Sequence, residues 1–514
     1  MSRRPSSPRT GSPHDGRLLE NVFPGDWQNP EPRARYDLVV VGAGSAGLIS
    51  AALAAGLGAR VALVEEQHLG GDCLNTGCVP SKSLLRASRM VAEAHRAQRE
   101  LGLDLAAGAA PDFARVMERM REIRARISHE DSALRYRDEL GVAVFLGRAH
   151  FSGRDRLEVD GRTLRFKRAV LATGARPASL PIPGLAEAGP LTSESVFDLE
   201  TLPERLAVIG GGPIGCELAQ AFARLGSQVS LLHADAHVLP REDRETARVL
   251  DARLRAEGLR IEDSARIERV DGGPQAACIH YRSSDGAVRQ LPADRILLAV
   301  GRTPNVEEMG LEAAGVAYDA LRGVHVDDFL RTRNPRIYAA GDVCMRWQFT
   351  HAADAAARIA VRNALFSLGP LGRARLSRLV MPWCTYTDPE IAHVGLGRGE
   401  ALAAGIEVDS YTVPLSELNR AVTDGEEEGF LKILLQRKRD RIVGASIVAP
   451  HAGELMGELT LAMLTGQGLG KLLDVIHPYP TLAQGIARVA GLRAKERATP
   501  ALRRWLKRLI RLRV

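Results

Sequence analysis

Cys73 and Cys78 stand five positions apart in Gly70-Gly-Asp-Cys-Leu-Asn-Thr-Gly-Cys-Val-Pro-Ser-Lys82, and the lysine follows the second cysteine by four. Two thiols this close, ahead of a helix expected from Ser81 to about His95, can cycle between disulfide and dithiol. The N-terminal field of that helix favours a thiolate, the reactive form. Two unrelated buried cysteines, or half of a zinc site, are the alternatives. Zinc needs four ligands, usually in two short-spaced pairs, and Cys216, Cys278, Cys344 and Cys384 are scattered. The stretch itself therefore favours redox use.

The elements that must position these thiols begin upstream. Tyr36 to Val41 is a valine-rich apolar run ending at Gly42-Ala-Gly44-Ser-Ala-Gly47. An alanine-rich amphipathic segment follows from Leu48 to about Leu57, then a second strand from Arg60 to Val64 that closes on Glu65. Strand, Gly-x-Gly-x-x-Gly, helix, strand and acid in that order form a dinucleotide site. The glycines let backbone approach a pyrophosphate, the helix N-terminus favours its charge, and Glu65 suits the ribose hydroxyls. The glycine motif alone carries little; its context carries the reading.

The same device recurs 168 residues later as Gly210-Gly-Gly212-Pro-Ile-Gly215, between an apolar strand (206–209) and a helix (216–225). A strand over Gln228 to Leu232 completes the unit. Two copies imply two dinucleotides, or one dinucleotide and a relic; the intact glycines favour two. The position 18 residues after the last glycine is His233, where an acid would bind a free ribose. A 2′-phosphate is repelled by a carboxylate there, so its loss leans toward NADPH over NADH. No arginine occupies the turn either, which reads His233-Ala-Asp-Ala-His237.

Length and composition bound the rest. A chain of 514 residues holds roughly three domains, and 45% apolar with 25% charged residues is ordinary globular composition. Few, scattered cysteines suit a reducing cytoplasm. The first 35 residues are rich in Pro, Ser and Arg without an apolar core, so a mobile arm is expected rather than a secretory signal. No long uninterrupted apolar stretch is present that would span a bilayer. Of the net charge of +7, residues 493–514 supply +8 from nine Lys/Arg and one Glu, leaving a main body near neutrality. That balance argues against a nucleic-acid surface. A polar helical region from about Phe113 to Leu140 reads as a solvated outer helix.

Together these pieces resemble the FAD-dependent pyridine nucleotide–disulfide oxidoreductases, the family of glutathione reductase, dihydrolipoamide dehydrogenase and mercuric reductase. The matching motifs are the two glycine loops, Gly71-Asp-Cys73-x4-Cys78-Val-Pro-Ser-Lys82, Ala172-Thr-Gly174, Gly301-Arg-Thr-Pro-Asn305 and Ala340-Gly-Asp342. The resemblance covers about Tyr36 to Ala490. It implies an α/β chain with two Rossmann-like dinucleotide-binding domains and a C-terminal α+β dimerisation domain. The implied divisions are 1–35 as the flexible arm, 36–176 with 297–378 for FAD, 177–296 for NAD(P), 379–490 as the interface domain, and 491–514 as a basic amphipathic tail.

By the same resemblance, Gly42, Gly44, Gly47, Glu65, Gly71, Thr173, Gly174, Gly341 and Asp342 serve FAD, Asp342 on the ribityl chain. Gly210, Gly212, Gly215, His233 and Gly301 serve NAD(P). Cys78 is the sulfur that touches flavin and Cys73 the one that attacks the outside substrate. Lys82 sits near flavin N5, paired with Glu217. A lysine there stabilises the negative charge that arrives with hydride. Pro213 fills the position from which a tyrosine often gates the nicotinamide pocket.

The departure lies near the C-terminus. Disulfide reductases of the family carry His-Pro-Thr-x-x-Glu, but here Ile476-His-Pro-Tyr479-Pro-Thr-Leu-Ala-Gln484 puts Tyr479 and Gln484 at the His and Glu positions. A tyrosine with a pKa of about 10 is a poor base at neutral pH. Tyrosine at that position is similar to mercuric reductase, although neither a Cys-x-x-Cys module before the FAD domain nor a terminal Cys-Cys is present. Transient Hg(II) at Cys73 and Cys78 is the favoured acceptor chemistry. His477, as a substitute base, keeps open lipoamide- or disulfide-type chemistry. The resemblance also implies a homodimer in which Tyr479 lies over the cysteines of the partner subunit. Residues 499–514 place Leu502, Trp505, Leu506, Leu509 and Ile510 on one helical face and Arg/Lys on the other, suiting either an anionic membrane surface or the protein's own body. A membrane-associated partner that reduces quinone or a protein is the remaining alternative.

Overall fold

Tyr36–Val41 (β1), Val61–Glu65 (β2) and Ala143–Leu146 (β3) form parallel neighbours in the computed structural model, which describes residues 11–103, 111–367 and 372–513. Strand Arg162–Leu171 pairs with β1 from the other side, and Ile337–Ala339 pairs with its second half, again in parallel. Parallel sheets are covered on both faces, so their strands read as unbroken apolar runs. Leu38, Val39 and Val40 are fully buried accordingly. Helix Ser45–Gly56 (α2) crosses from β1 to β2 and carries the first glycine turn at its N-terminus.

The second parallel sheet consists of Arg205–Ile209, Gln228–Leu232, Arg260–Glu262 and Arg295–Leu298. Helix Pro213–Arg224 follows its first strand, starting with proline in the first turn, where a missing N–H costs nothing. Helix Gly71–Asn75 (α3) and the 23-residue helix Cys78–Glu100 (α4) carry the redox stretch, so the expected helix starts three residues earlier, at the second cysteine.

Two expectations are corrected. The arm expected over 1–35 is not uniformly free: Pro13–Val22 forms a helix (α1), with Ser12 accepting from the His14 N–H and with Asp15, Leu18 and Val22 buried. Its charge finds partners on Phe113–Ile127 (α5), which is why a polar segment folds there. Residues 1–10 lie outside the described residues. The polar helix expected from Phe113 to Leu140 is broken into α5, a 3-10 turn Ser128–Asp131 and Ala133–Asp138. One face is solvated as expected, with Arg115, Arg119, Glu122 and Arg126 exposed, but the other is buried at Met117, Met120, Arg121 and Arg124.

Contacts divide the chain into two units, Met1–Ala234 with Leu259–Leu379, and Asp235–Gly258 with Val380–Val514. The second unit holds a five-stranded antiparallel sheet, ordered Pro382–Thr385, Glu390–Gly395, Ile442–Ala449, Phe430–Gln436, Val408–Pro414. Segment 235–258, expected in the nucleotide domain 177–296, joins this unit through ion pairs. Buried Lys432 Nζ lies 2.8 Å from Asp243 and 3.2 Å from Glu245, and Trp383 Nε1 donates to Glu242 at 2.6 Å. The tail forms helix Pro500–Arg513 with no buried residue. Among the described residues, no helix is long and apolar enough to cross a membrane.

Candidate active site

The two cysteines sit on opposite sides of a break between helices. Cys73 lies in α3, Gly77 caps α4, and Cys78 is the first residue of α4. Both are free thiols, Cys73 half-buried and Cys78 exposed, and they are hydrogen-bonded to one another. The bond from Cys73 is the largest influence holding Cys78 below the ordinary thiol value; burial opposes it, while Thr350 and the charge of Lys82 assist. Thr350 Oγ1 is 3.2 Å from the Cys78 sulfur. Cys73 is pushed up instead, by its bond to Cys78 and then by burial. The pair is thus polarised, with the thiolate on the sulfur that begins the helix.

Lys82 is one turn along the same helix. Its Nζ is 2.7 Å from Oε2 of Glu217, which is buried in helix Pro213–Arg224. A lysine partnered by a buried carboxylate holds one position, so its nitrogen is fixed near Cys78. The sequence-expected pair Cys78 and Lys82 and the more distant Glu217 are therefore brought together.

The first glycine turn fits a bound dinucleotide. A Cβ on Gly42, whose φ is +97°, would stand 2.3 Å from the Ala172 carbonyl oxygen, so only glycine admits this approach to the strand end. Gly44 and Gly71 face each other closely, a Cβ on Gly71 reaching 2.6 Å from the Gly44 Cα. Glu65, at the end of β2, accepts from the backbone N–H groups of Ala43 and Gln67. Burial raises its carboxyl to about 7, with those bonds opposing. This clustering of open backbone and an oriented acid suits FAD, with Gly47 at the start of α2 packed on the Gly42 carbonyl.

Asp342 stands beside this turn's sheet. Burial raises it to about 6, and Arg302, whose Nε is 3.3 Å away, opposes the shift. Arg302 also bonds Asp72, the neighbour of Cys73. Thr173 and Asn305 hydrogen-bond reciprocally, Oγ1 to the Asn305 carbonyl at 2.8 Å and Nδ2 to the Thr173 carbonyl at 2.9 Å. The motifs at 172–174 and 301–305 are thus one structure, with Gly174 accepting from the Asn305 N–H. Gly341 faces Ala46 of α2 and Ala353.

At the second turn, Gly210 repeats the Gly42 geometry, its Cβ position lying 2.3 Å from the Ala299 carbonyl oxygen. Gly215 is packed on Gly210 in the same way, and Gly212 opens into free space. His233 is buried against Gly211, and its Nε2 is 2.9 Å from Asp263 Oδ1. A carboxylate therefore reaches this strand end from the neighbouring strand's turn. Gly301 precedes Arg302 with φ +110°.

Tyr479 and His477 belong to the second unit. The Tyr479 ring is exposed, and its hydroxyl oxygen accepts from Asn419 Nδ2 at 2.8 Å. His477 Nε2 is 2.9 Å from Oε2 of Glu458. The Asn419 donor holds the phenol oxygen in place, and a carboxylate on His477 orients that ring. Gln484 begins helix Gln484–Arg497.

Sequence reasoning missed Arg302, Asp263, Asn419 and Glu458. Arg302 carried a signal, since it lies inside the quoted Gly301-Arg-Thr-Pro-Asn305 motif. The other three have none, because their partners come from remote segments.

With this geometry in place, comparisons with known proteins define the class. Residues 36–357 match the pyridine nucleotide-disulphide oxidoreductase family, and residues 381–490 match the dimerisation domain of that family. The chain belongs to this family of FAD-containing, NAD(P)H-dependent oxidoreductases. It is 35% identical over 460 residues to mercuric reductase of Bacillus cereus, covering 89% of this chain and 71% of that protein. It is 34% identical over 463 residues to dihydrolipoyl dehydrogenase of Thermus scotoductus, covering 88% and 96%. Among solved structures, the Cu(II) complex of the HOCl-induced flavoprotein disulfide reductase RclA from Escherichia coli superposes with a TM-score of 0.78. That match is at 29% identity over 90% of this chain and all of the other.

Proposed function

We propose that the protein carries two electrons from NADPH, or NADH, to the Cys73/Cys78 pair and from there to a thiol-reactive metal ion, with Hg(II) favoured. The observation that carries the choice of acceptor is Tyr479, its oxygen held by Asn419, at the position of the expected base. Mercuric reductases among the relatives and the Cu(II) complex of RclA support a metal ion as substrate. The net reaction is balanced: NADPH and Hg(II) give NADP⁺, a proton and Hg(0).

FAD, when bound, supplies two-electron transfer between the nicotinamide and the sulfur pair. Gly42, Gly44, Gly47 and Gly71 would hold its pyrophosphate, with Glu65 on its ribose, Asp342 on its ribityl chain and Thr173, Gly174 and Gly341 beside it. The second turn, Gly210 to Gly215 with His233 and Gly301, would hold the nicotinamide dinucleotide. Cys78 takes the thiolate because Cys73 donates to it and Lys82 lies near. Cys73 keeps its proton and meets substrate. Together the two sulfurs give soft ligands for Hg(II), releasing their remaining protons on binding. A homodimer follows from the dimerisation segment 381–490, with Tyr479 completing the site across the dimer.

A second reading is favoured by one observation. His477 is oriented by Glu458, so disulfide or dihydrolipoamide chemistry with His477 as base is a distinct outcome. Steady-state oxidation of NADPH and NADH with Hg(II), Cu(II), lipoamide, glutathione disulfide and a quinone separates the readings, with Cys73→Ser as control. Turnover with lipoamide but not with either metal would overturn the metal-ion assignment. The exposed helix Pro500–Arg513 adds a peripheral contact with anionic lipid to this reading.

A further inference from the structure

Helix α1 precedes the family segment 36–357, yet its bonds run to the redox loop. Asp15 Oδ1 lies 2.7 Å from Arg124 Nη2, with both side chains 4% exposed. Its other oxygen is 3.8 Å from Nε of buried Arg121. Arg124 then turns its second nitrogen, Nη1, to the carbonyl of Asn75 at 2.8 Å. Asn75 stands between the two cysteines, and its own Nδ2 donates to Leu69 and Gly71 at 3.0 and 2.8 Å. Leu69 N–H donates to the carbonyl of Val22, the last residue of α1. Asn21 Nδ2 fastens the same helix to Ser128 Oγ at 2.8 Å.

We infer that Asp15 is a positioning residue for the Cys73/Cys78 couple: by balancing Arg124 it fixes both the seat of the Asn75 carbonyl and the positive charge that the sulfurs feel. The inference rests on the reading of Cys73 and Cys78 as the redox pair. A guanidinium this buried needs its counter-charge, because the interior screens it poorly and its field then reaches groups several ångströms away. The other charged groups around the loop are Lys82 and Glu217 beside Cys78, Asp72 next to Cys73 with its partner Arg302, Asp342 facing Cys78, Asp131 near Cys73, and Glu118 and Arg121 on α5. His68, which faces Arg124 from the loop before α3, is held down to about 4 by burial and by that charge, so it stays neutral at working pH.

The test is the pH profile of cysteine alkylation by iodoacetamide in the NADPH-reduced holoenzyme. Asp15→Asn leaves Arg124 unbalanced and moves the thiolate midpoint down, by about half a pH unit. Arg124→Gln removes the cation and moves the midpoint up by a similar amount. General loosening of the loop would drive both variants the same way, so opposite signs carry the inference. Both midpoints moving together, or an unchanged midpoint in either soluble variant, would overturn it. If Asp15→Asn does not fold, Arg124→Gln alone must still shift upward. A wild-type profile insensitive to Cys78→Ser would instead refute the redox pair itself, and the two failures stay distinguishable.

Discussion

Lys82 Nζ and Glu217 Oε2 are 2.7 Å apart, which joins the helix opened by Cys78 to the helix opened by the second glycine turn. One ion pair therefore ties the sulfur chemistry to the nucleotide loop. Removing the cation with Lys82→Met takes away preorganised charge stabilisation, a loss typically worth about 10²–10³ in rate. Stopped-flow measurement of the NADPH reductive half-reaction should show a slowing of that order. A rate within about twofold of wild type would show that Lys82 does not act there.

The polarised thiols set a pH dependence. Cys78 is held below the ordinary thiol value by its bond from Cys73, so its thiolate persists below the usual thiol range and is lost as pH falls further. The thiolate–flavin absorbance of two-electron-reduced protein should titrate with a midpoint below the ordinary thiol value and be absent in Cys78→Ser. Cys73→Ser should keep the band but lose acceptor turnover. A band that survives Cys78→Ser would reverse the assigned roles.

At the second turn, His233 occupies the strand end where a carboxylate would select NADH. His233→Glu should shift the ratio of kcat/KM for NADPH over NADH by about tenfold or more toward NADH, since a carboxylate repels the 2′-phosphate. Asp263, 2.9 Å from the ring, is the residue to vary alongside. An unchanged ratio in both variants would place dinucleotide selection elsewhere.

Glu242 gives the second unit a stability that depends on pH. Burial raises its carboxyl to about 7, with the Trp383 bond opposing. The folded state thus binds a proton more tightly than the unfolded chain, so the contribution is fully present below the unfolded value near 4.5 and is lost as pH rises through about 7. Going from pH ~5 to ~8 should cost about 2 kcal/mol, an effect that Glu242→Gln removes. Thermal midpoints across that range, read from tryptophan fluorescence, check this.

The tail should bind anionic bilayers. In Pro500–Arg513, Leu502, Trp505, Leu506 and Ile510 are exposed on one face and Arg504, Lys507, Arg508 and Arg511 occupy the other. Such segregation buries apolar side chains at the headgroup boundary while the cations meet lipid phosphate. Sedimentation with phosphatidylglycerol vesicles should pull down the full chain and not a chain ending at 498, with binding weakened by salt. Equal sedimentation of both would assign the helix face another use.

Legibility in the sequence follows the distance between partners. The glycine turns with Glu65, and the cysteine pair with Lys82, are readable because each motif is written within about 30 contiguous residues, with strand and helix signals on either side. Glu217 is reached only through family resemblance. Arg124 reads as a surface cation, because the carboxylate that lets it be buried is Asp15, 109 residues earlier. Asn419 and Tyr479 are 60 residues apart, and no local pattern joins them. The folded helix within the expected arm escapes for the same reason: a polar helix is stable when its charges find buried partners, and composition does not show partners.

The second unit is assembled from two stretches that the ribosome delivers far apart. Asp235–Gly258 emerges more than a hundred residues before Val380, and its Asp243 and Glu245 are the acids that meet the ammonium of Lys432. A C-terminal fragment beginning at Val380 would therefore enclose that ammonium with no acid from this segment, and Trp383 would lose Glu242 as acceptor. During synthesis, the acids of this early segment meet their partners Lys432 and Trp383 only once the last quarter of the chain has arrived.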